Sequence, residues 1–346
     1  MTKEKKSKIL LIYTGGTIGM VHHEKRSTLK PINFKNILKL VPELSRLNCV
    51  PEYTSLLPLI DSSQVSSQLW IRLAQLVEKN YSKYDGFVIL HGSDTMAYTA
   101  SALSFMFENL AKPVILTGSQ LPMGQVRTDA RENLISAIEI AGLRKNGKAL
   151  VPEVCIYFEY RLLRGNRSTK FSSNHFEAFR SIDYPPLAEA GVHLMIDEKN
   201  LLPNPKGIFK VHTGIEEKVG LFTVSPLMQK ESCESYLLSG HLKALLLESY
   251  GSGTVPLKPW FLNSLKKLID QGIPVLNITQ CAGGTVEQGL YESSKRLEEI
   301  GVIGGLDLTR EAALTKLMVL MGMKLKKEKI AKLLPVSLRG ELSPLK

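Results

Sequence analysis

The chain has 346 residues, 44% of them hydrophobic, enough to bury a sizeable core and more than one domain usually needs. Its formal charge of +11 comes from lysines spread along the chain and densest at Lys3 to Lys8 and Lys324 to Lys332, a pattern of solvated surface rather than of a nucleic-acid face. No stretch approaches about 18 consecutive apolar residues, so no membrane span is expected. Cys49, Cys155, Cys233 and Cys281 lack CxxC or Cys/His spacing, which argues against a disulfide framework and a zinc site.

The basic head is followed by an apolar run, Ile9 to Tyr13, too short for the core of a signal peptide, so a soluble protein that is not secreted is expected. Lys8 to Tyr13, stopped by Thr14-Gly15-Gly16, reads as a strand buried on both faces. The pattern returns at Gly86 to Leu90, ended by His91-Gly92-Ser93-Asp94, at Pro113 to Leu116, ended by Thr117-Gly118-Ser119, and at Val154 to Phe158. Helical spacing lies between them: Leu69, Ile71, Leu73, Leu76 and Val77; Ala100, Leu103, Phe107 and Leu110; Leu134, Ala137 and Ile140. This alternation predicts an α/β fold whose larger N-terminal domain has a doubly wound, mostly parallel sheet. The Pro- and Gly-bearing stretch from Asp197 reads as a linker. The expected division is 1–196, a linker over 197–217, and a smaller α/β domain over 218–346, with strands at Lys243 to Leu247 and Pro274 to Ile278 flanking a helix from Pro259 to Gln271.

Ligands of open parallel sheets bind beyond the carboxyl ends of the strands, and three of the four ends carry hydroxyls beside glycine. The first, Thr14-Gly15-Gly16-Thr17-Ile18-Gly19, lacks the spacing of a dinucleotide loop and the lysine of a phosphate loop. A hydroxyl nucleophile needs a base; His91 precedes its turn and no GxSxG elbow is present, so a lysine is the alternative, and spacing alone does not choose among the lysines.

The segments Tyr13-Thr14-Gly15-Gly16-Thr17-Ile18-Gly19-Met20 and His91-Gly92-Ser93-Asp94-Thr95-Met96-Ala97-Tyr98 resemble the two signatures of the bacterial type I, cytoplasmic L-asparaginases. The resemblance continues through Asp61-Ser62-Ser63, Thr117 to Gln120, Arg164 to Lys170, Asn277 to Cys281 and Leu338 to Leu342, nearly the whole chain. It implies hydrolysis of the asparagine side-chain amide, with Thr17 as nucleophile and carrier of a β-aspartyl ester. Ser93, Asp94 and Lys170 would form a second hydroxyl-carboxylate-amine set. Asp61, Ser62 and Ser63, with Ser93 and Asp94, would hold the amino acid, Asp94 meeting its α-ammonium group, and backbone N–H groups near Ser93 would stabilise the oxyanion. The resemblance also implies a homodimer or homotetramer and no metal or organic cofactor.

The residues themselves allow plainer roles. Asp61 before Ser62-Ser63 also reads as a helix cap, Lys170 as a solvated lysine, and Cys281 as a buried thiol. Three departures stand out. Ser93 occupies a position usually held by threonine; it keeps the hydroxyl but is freer about χ1. The segment Val21 to Pro31 contains no tyrosine, where the family places one over its nucleophile. At the regulatory site of some members Cys281 has a counterpart, but Glu248 stands for an arginine and cannot grip a carboxylate, so regulation by asparagine is not expected. The rivals are a glutaminase of mixed specificity, which one methylene separates from an asparaginase, and an amino-acid-binding protein of feeble activity. A third, the ammonia-releasing subunit of a tRNA-dependent transamidase, would carry an extra domain where only 13 residues precede Thr14.

Overall fold

The computed structural model describes residues 6–23, 26–31 and 40–343. Strand Ser7–Gly15 is buried at every position but Lys8, as its unbroken apolar run requires of a central parallel strand. It pairs in parallel with Cys49–Ile60 on one side and Gly86–Leu90 on the other. Val114–Thr117 and Val154–Phe158 extend the parallel set. Arg161–Arg164, Ala188–Ala190 and Leu194–Ile196 then complete an eight-stranded sheet in antiparallel fashion. The turn into the antiparallel part is Glu159-Tyr160, both left-handed at φ 44 and 66, as a two-residue hairpin of this twist needs.

Strand Cys49–Ile60 is absent from the sequence reading. It is an edge strand with few buried positions and two prolines, so it presents no apolar run; edges are where proline is tolerated. Its place makes Ser7–Gly15 the point at which the chain steps first to one side and then to the other, which is where an open sheet leaves a crevice.

Helix Ser67–Asn80 buries Leu69, Trp70, Leu73, Ala74 and Val77. Ile71 and Leu76, expected on the same face, are partly exposed, and Trp70 and Ala74 complete it instead. Each fully buried large apolar side chain of this kind contributes about 1.5–3 kcal/mol. Helix Met96–Met106 is buried almost all round, and Phe107, read as helical, begins a short strand. Ala130–Gly142 is the third helix.

Contacts divide the chain into Met1–Ser181 with Pro185–Val211, and Ile182–Tyr184 with His212–Lys346. Much of the segment read as a linker is therefore packed on the first unit. Arg164 donates to the Asn200 carbonyl at 2.7 Å, Leu202 N–H donates to Glu153 at 2.8 Å, and Lys210–Val211 pairs with Phe107–Glu108. Proline and glycine content reveals a break in pattern but not which groups satisfy the backbone there.

In the second unit Val219–Thr223, Ala244–Ser249, Val275–Thr279 and Ile303–Gly304 form a parallel sheet. Helix Pro259–Asp270 packs Phe261, Leu265 and Leu268 into a core shared with Leu245, Leu247 and Val275. The four cysteines are free thiols, Cys281 alone exposed. Among the described residues no helix is long and apolar enough to cross a membrane, and no group of three or more His, Cys, Asp or Glu converges as for a metal ion.

Candidate active site

Four neighbouring parallel strands end on one edge of the large sheet, and their turns are pressed together. Gly16 has φ 86, and a Cβ there would lie 2.5 Å from the Gly92 nitrogen. A Cβ on Gly92 would in turn meet Ser62 Oγ at 2.5 Å. Only glycine permits backbones this close. The contact brings the Thr17 turn, the Ser62 turn and the Ser93 turn into one cluster.

Several hydroxyls of the strand ends are structural. Thr14 donates to the Leu90 carbonyl at 2.9 Å, Thr117 to the Tyr157 carbonyl at 2.8 Å, and Ser119 to the Leu121 carbonyl at 2.6 Å. Thr95 ties the second turn to the third by donating to the Ser62 carbonyl at 2.7 Å. Thr17, in contrast, opens a short 3-10 turn, Thr17–Gly19, and is only half-buried. Tyr13 fixes the far end of that turn by donating to the Gly19 carbonyl at 3.1 Å; burial raises its phenol to about 12, so it stays a donor.

Lys170 Nζ lies 2.9 Å from Ser93 Oγ and 2.5 Å from Asp94 Oδ1. The lysine side chain is 18% exposed and the aspartate 63%, so Asp94 remains open to a second cation. Lys170 is not a free surface lysine. Its short strand, Thr169–Lys170, pairs with Phe179–Arg180 and follows a buried turn, Gly165–Arg167. That turn is anchored by the Arg164–Glu153 ion pair, 2.6 Å long with both side chains under 5% exposed, and by Ser168 donating to the Arg164 carbonyl at 2.7 Å. The run from Arg164 to Lys170 is thus a scaffold that aims one amine.

Asp61 caps the 3-10 turn Ser62–Gln64, its carboxylate accepting the Ser63 N–H at 2.8 Å. That hydrogen bond holds the carboxyl below its ordinary range, so it is ionised at neutral pH. Capping and ligand binding are compatible: Asp61 and Ser63 are exposed and Ser62 is buried.

His91 faces the interior. Trp70 Nε1 donates to Thr99 Oγ1 at 3.0 Å, Thr99 lies 3.0 Å from His91 Nε2, and His91 Nδ1 lies 2.7 Å from the Gly92 carbonyl. The carbonyl can only accept, which assigns the proton to Nδ1 and makes Nε2 the acceptor from Thr99. The Trp70–Thr99–His91–Gly92 series is thus satisfied with a neutral ring, and burial lowers the imidazole from 6.5 to about 4. Between these values an unfolded chain binds a proton that the folded one refuses, so stability falls as pH drops from about 6.5 towards about 4, by on the order of 3 kcal/mol. Urea midpoints at pH 7 and pH 4.5 are expected to diverge more for the native chain than for His91→Gln; an equal loss in both would assign the acid sensitivity elsewhere.

Sequence reasoning gave Gln120 no role and passed over Asp129. The carboxylate of Asp129 accepts the backbone N–H groups of Gln120 and Leu121 at 2.9–3.1 Å, and burial raises its carboxyl above the ordinary value. Gln120 Oε1 is 3.3 Å from Ser93 Oγ. The sequence signals for Gln120 were its position just past a strand end and its place in the Thr117 to Gln120 segment of the resemblance, neither of which assigns it a role.

In the second unit Cys281 follows strand Val275–Thr279, its N–H donating to Thr279 Oγ1 at 3.0 Å. Glu248 is buried and accepts from Thr223 at 2.6 Å and from Arg310, whose Nη2 is 3.0 Å away. The guanidinium found there is already neutralised. In the segment Val21 to Pro31, backbone strands Met20–His23 and Arg26–Pro31 pair antiparallel. Glu24 and Lys25, and all side chains of the segment, lie outside the described residues, as does the matter of the missing tyrosine.

Residues 8–201 match the family described as Asparaginase, N-terminal, and residues 218–334 match the Glutaminase/Asparaginase C-terminal domain. The chain belongs to the asparaginase family. It is 42% identical to L-asparaginase 1 of Escherichia coli K12 over 98% of this chain and 99% of that protein. It is 37% identical to the 60 kDa lysophospholipase of Mus musculus over 97% of this chain but 62% of that protein. Among solved asparaginase structures, L-asparaginase I of Vibrio cholerae superposes with a TM-score of 0.89 at 40% identity, covering 98% of this chain and all of that one.

Proposed function

We propose that the chain hydrolyses L-asparagine to L-aspartate and ammonia through Thr17, with Ser93, Asp94 and Lys170 handling protons and charge. The observation that carries this reading is Lys170 within hydrogen-bond reach of both Ser93 and Asp94, whose turn the Gly16–Gly92 approach presses against the one bearing half-buried Thr17.

In the first step Thr17 Oγ bonds to the side-chain carbonyl carbon and the C–N bond breaks. The nitrogen takes up the proton that the threonine gives up and leaves as ammonia. Water then adds to the β-aspartyl ester, the C–O bond to Thr17 breaks, and the water's proton returns to the threonine. Ser93 and Lys170 are the proton carriers of both halves, and backbone N–H groups near Ser93 receive the oxyanion. The open side of Asp94 takes the substrate's α-ammonium. Ionised Asp61, with Ser62 and Ser63, holds the α-amino and α-carboxylate ends. The protein works in the cytoplasm as a homodimer or homotetramer without a cofactor.

The test is ammonia release from L-asparagine and L-glutamine by the purified protein. Release from asparagine well above that from glutamine is the expected result. Comparable rates would favour the mixed specificity that the description of the C-terminal family allows; discrimination over one methylene is only about 10–200-fold even in a fitted pocket. Calorimetric binding of asparagine with no ammonia from either amide would make it an amino-acid-binding protein. Because Glu248 is buried and paired, asparagine saturation is expected to be hyperbolic; a sigmoidal curve would return a regulatory role to the region around Cys281.

A further inference from the structure

We propose that Gln120 is a positioning residue that sets the rotamer of the Ser93 hydroxyl, an inference that rests on the reading of Ser93 and Lys170 as proton carriers. The orientation of the Gln120 amide is determined by its surroundings. Nε2 lies 3.2 Å from the Ser173 carbonyl and 3.0 Å from the His175 carbonyl. Both are acceptors, so the NH2 end faces them and Oε1 faces Ser93. An amide oxygen only accepts; the Ser93 proton therefore lies on the Gln120 side, and the lone pairs of Ser93 Oγ face the Lys170 ammonium that donates to it. The hydrogen bonds run from Lys170 to Ser93 to Gln120.

Gln120 is itself held at two points, and the loop it reaches is held in turn. Its N–H is bound by buried Asp129, its side chain spans to the loop that follows Lys170, and that loop closes on itself through Phe171 N–H donating to the Ala178 carbonyl at 2.7 Å. The same residue thus references Ser93 and the Lys170 loop to one point. The need for such a reference comes from Ser93 itself: a threonine has its χ1 restricted by the γ-methyl, whereas serine relies on its hydrogen bonds. At 3.3 Å the contact to Gln120 is long for an O–H donor, so it orients the hydroxyl yet can release it when substrate arrives.

The experiment is a double-mutant cycle on the full chain, reading kcat and KM for asparagine. Gln120→Met is expected to lower kcat about three- to tenfold, the worth of one neutral hydrogen bond, with KM unchanged within about twofold. In a Ser93→Ala background the same change is expected to have less than about a twofold effect, and in Ser93→Thr, where the methyl restores the restriction, less than in the native chain. Equal losses in native and Ser93→Ala backgrounds, or a native kcat in Gln120→Met, would overturn the proposal. Should Gln120→Met fail to fold, Gln120→Asn keeps both amide groups and withdraws them from Ser93 by one methylene, and reads the same cycle. Native turnover in Ser93→Ala alone would instead remove the underlying reading of Ser93.

Discussion

Thr17→Val is expected to abolish ammonia release from asparagine, by about four orders of magnitude or more, as the loss of a covalent nucleophile does. Valine has nearly the shape of threonine and keeps a γ-methyl, so the change removes one oxygen and little else. The turn it sits on does not depend on that oxygen: Gly19 N–H donates to the Gly16 carbonyl at 3.2 Å, and Tyr13 holds the other end. The thermal midpoint is therefore expected to stay within a degree or two, and asparagine to bind still, because Asp61, Ser62 and Asp94 lie on other turns. Turnover, ammonia release and a calorimetric titration measure the three quantities separately. More than about 1% of native turnover in Thr17→Val would mean that another group attacks the amide, Ser93 being the next hydroxyl to test.

Lys316→Met is expected to destabilise the second unit by about 3–5 kcal/mol, the range for breaking a buried ion pair from one side. Lys316 lies on helix Arg310–Gly322 and is fully buried, as is Glu341. Its ammonium has three protons and three acceptors: Glu341 at 2.7 Å and the carbonyls of Leu334 at 2.8 Å and Val336 at 2.6 Å. Glu341 also accepts the N–H groups of Leu338 and Arg339. Methionine would fill the space while leaving a buried carboxylate without its counter-charge and two carbonyls without their donor. Burial lowers the lysine's affinity for its proton and Glu341 opposes that, so the partner is what keeps the pair charged. Urea unfolding of the variant measures the effect; a midpoint within experimental spread of the native one would show that water reaches the site and replaces the amine. The segment Leu338 to Leu342, which the sequence reading could place only by resemblance, thereby acquires a structural purpose.

Much of the fold was legible because buried parallel strands announce themselves. Ile9 to Tyr13, Gly86 to Leu90 and Val154 to Phe158 are apolar at nearly every position, and a strand covered on both faces has no alternative composition. Edge strand Cys49–Ile60 is half solvated and carries prolines, so the same logic that finds its neighbour misses it. Helix Arg310–Gly322 escaped for a different reason: it buries Glu311, Thr315 and Lys316 along with its apolar residues, which blurs the helical period.

The candidate site divides in the same way. Local sequence determined that hydroxyls and glycines would cluster at strand ends, because tight turns past a parallel sheet need glycine and short polar residues wherever they fall. It could not say which hydroxyls were spent on the backbone. Thr14 and Thr117 are bound to carbonyls 76 and 40 residues away, and the choice of Lys170 among the chain's lysines depends on a buried Arg164–Glu153 pair and a contact with residues 76 and 77 positions earlier. Gln120 is the extreme case, since its role exists only where Ser93, Asp129 and the loop carbonyls of Ser173 and His175 meet. Composition and periodicity are properties of neighbours in the chain, and they determined the layers of this protein. Hydrogen bonds between distant residues are directional and exclusive, each donor serving few acceptors, so which side chain acts and which merely holds was decided only when the sheet brought its strand ends together.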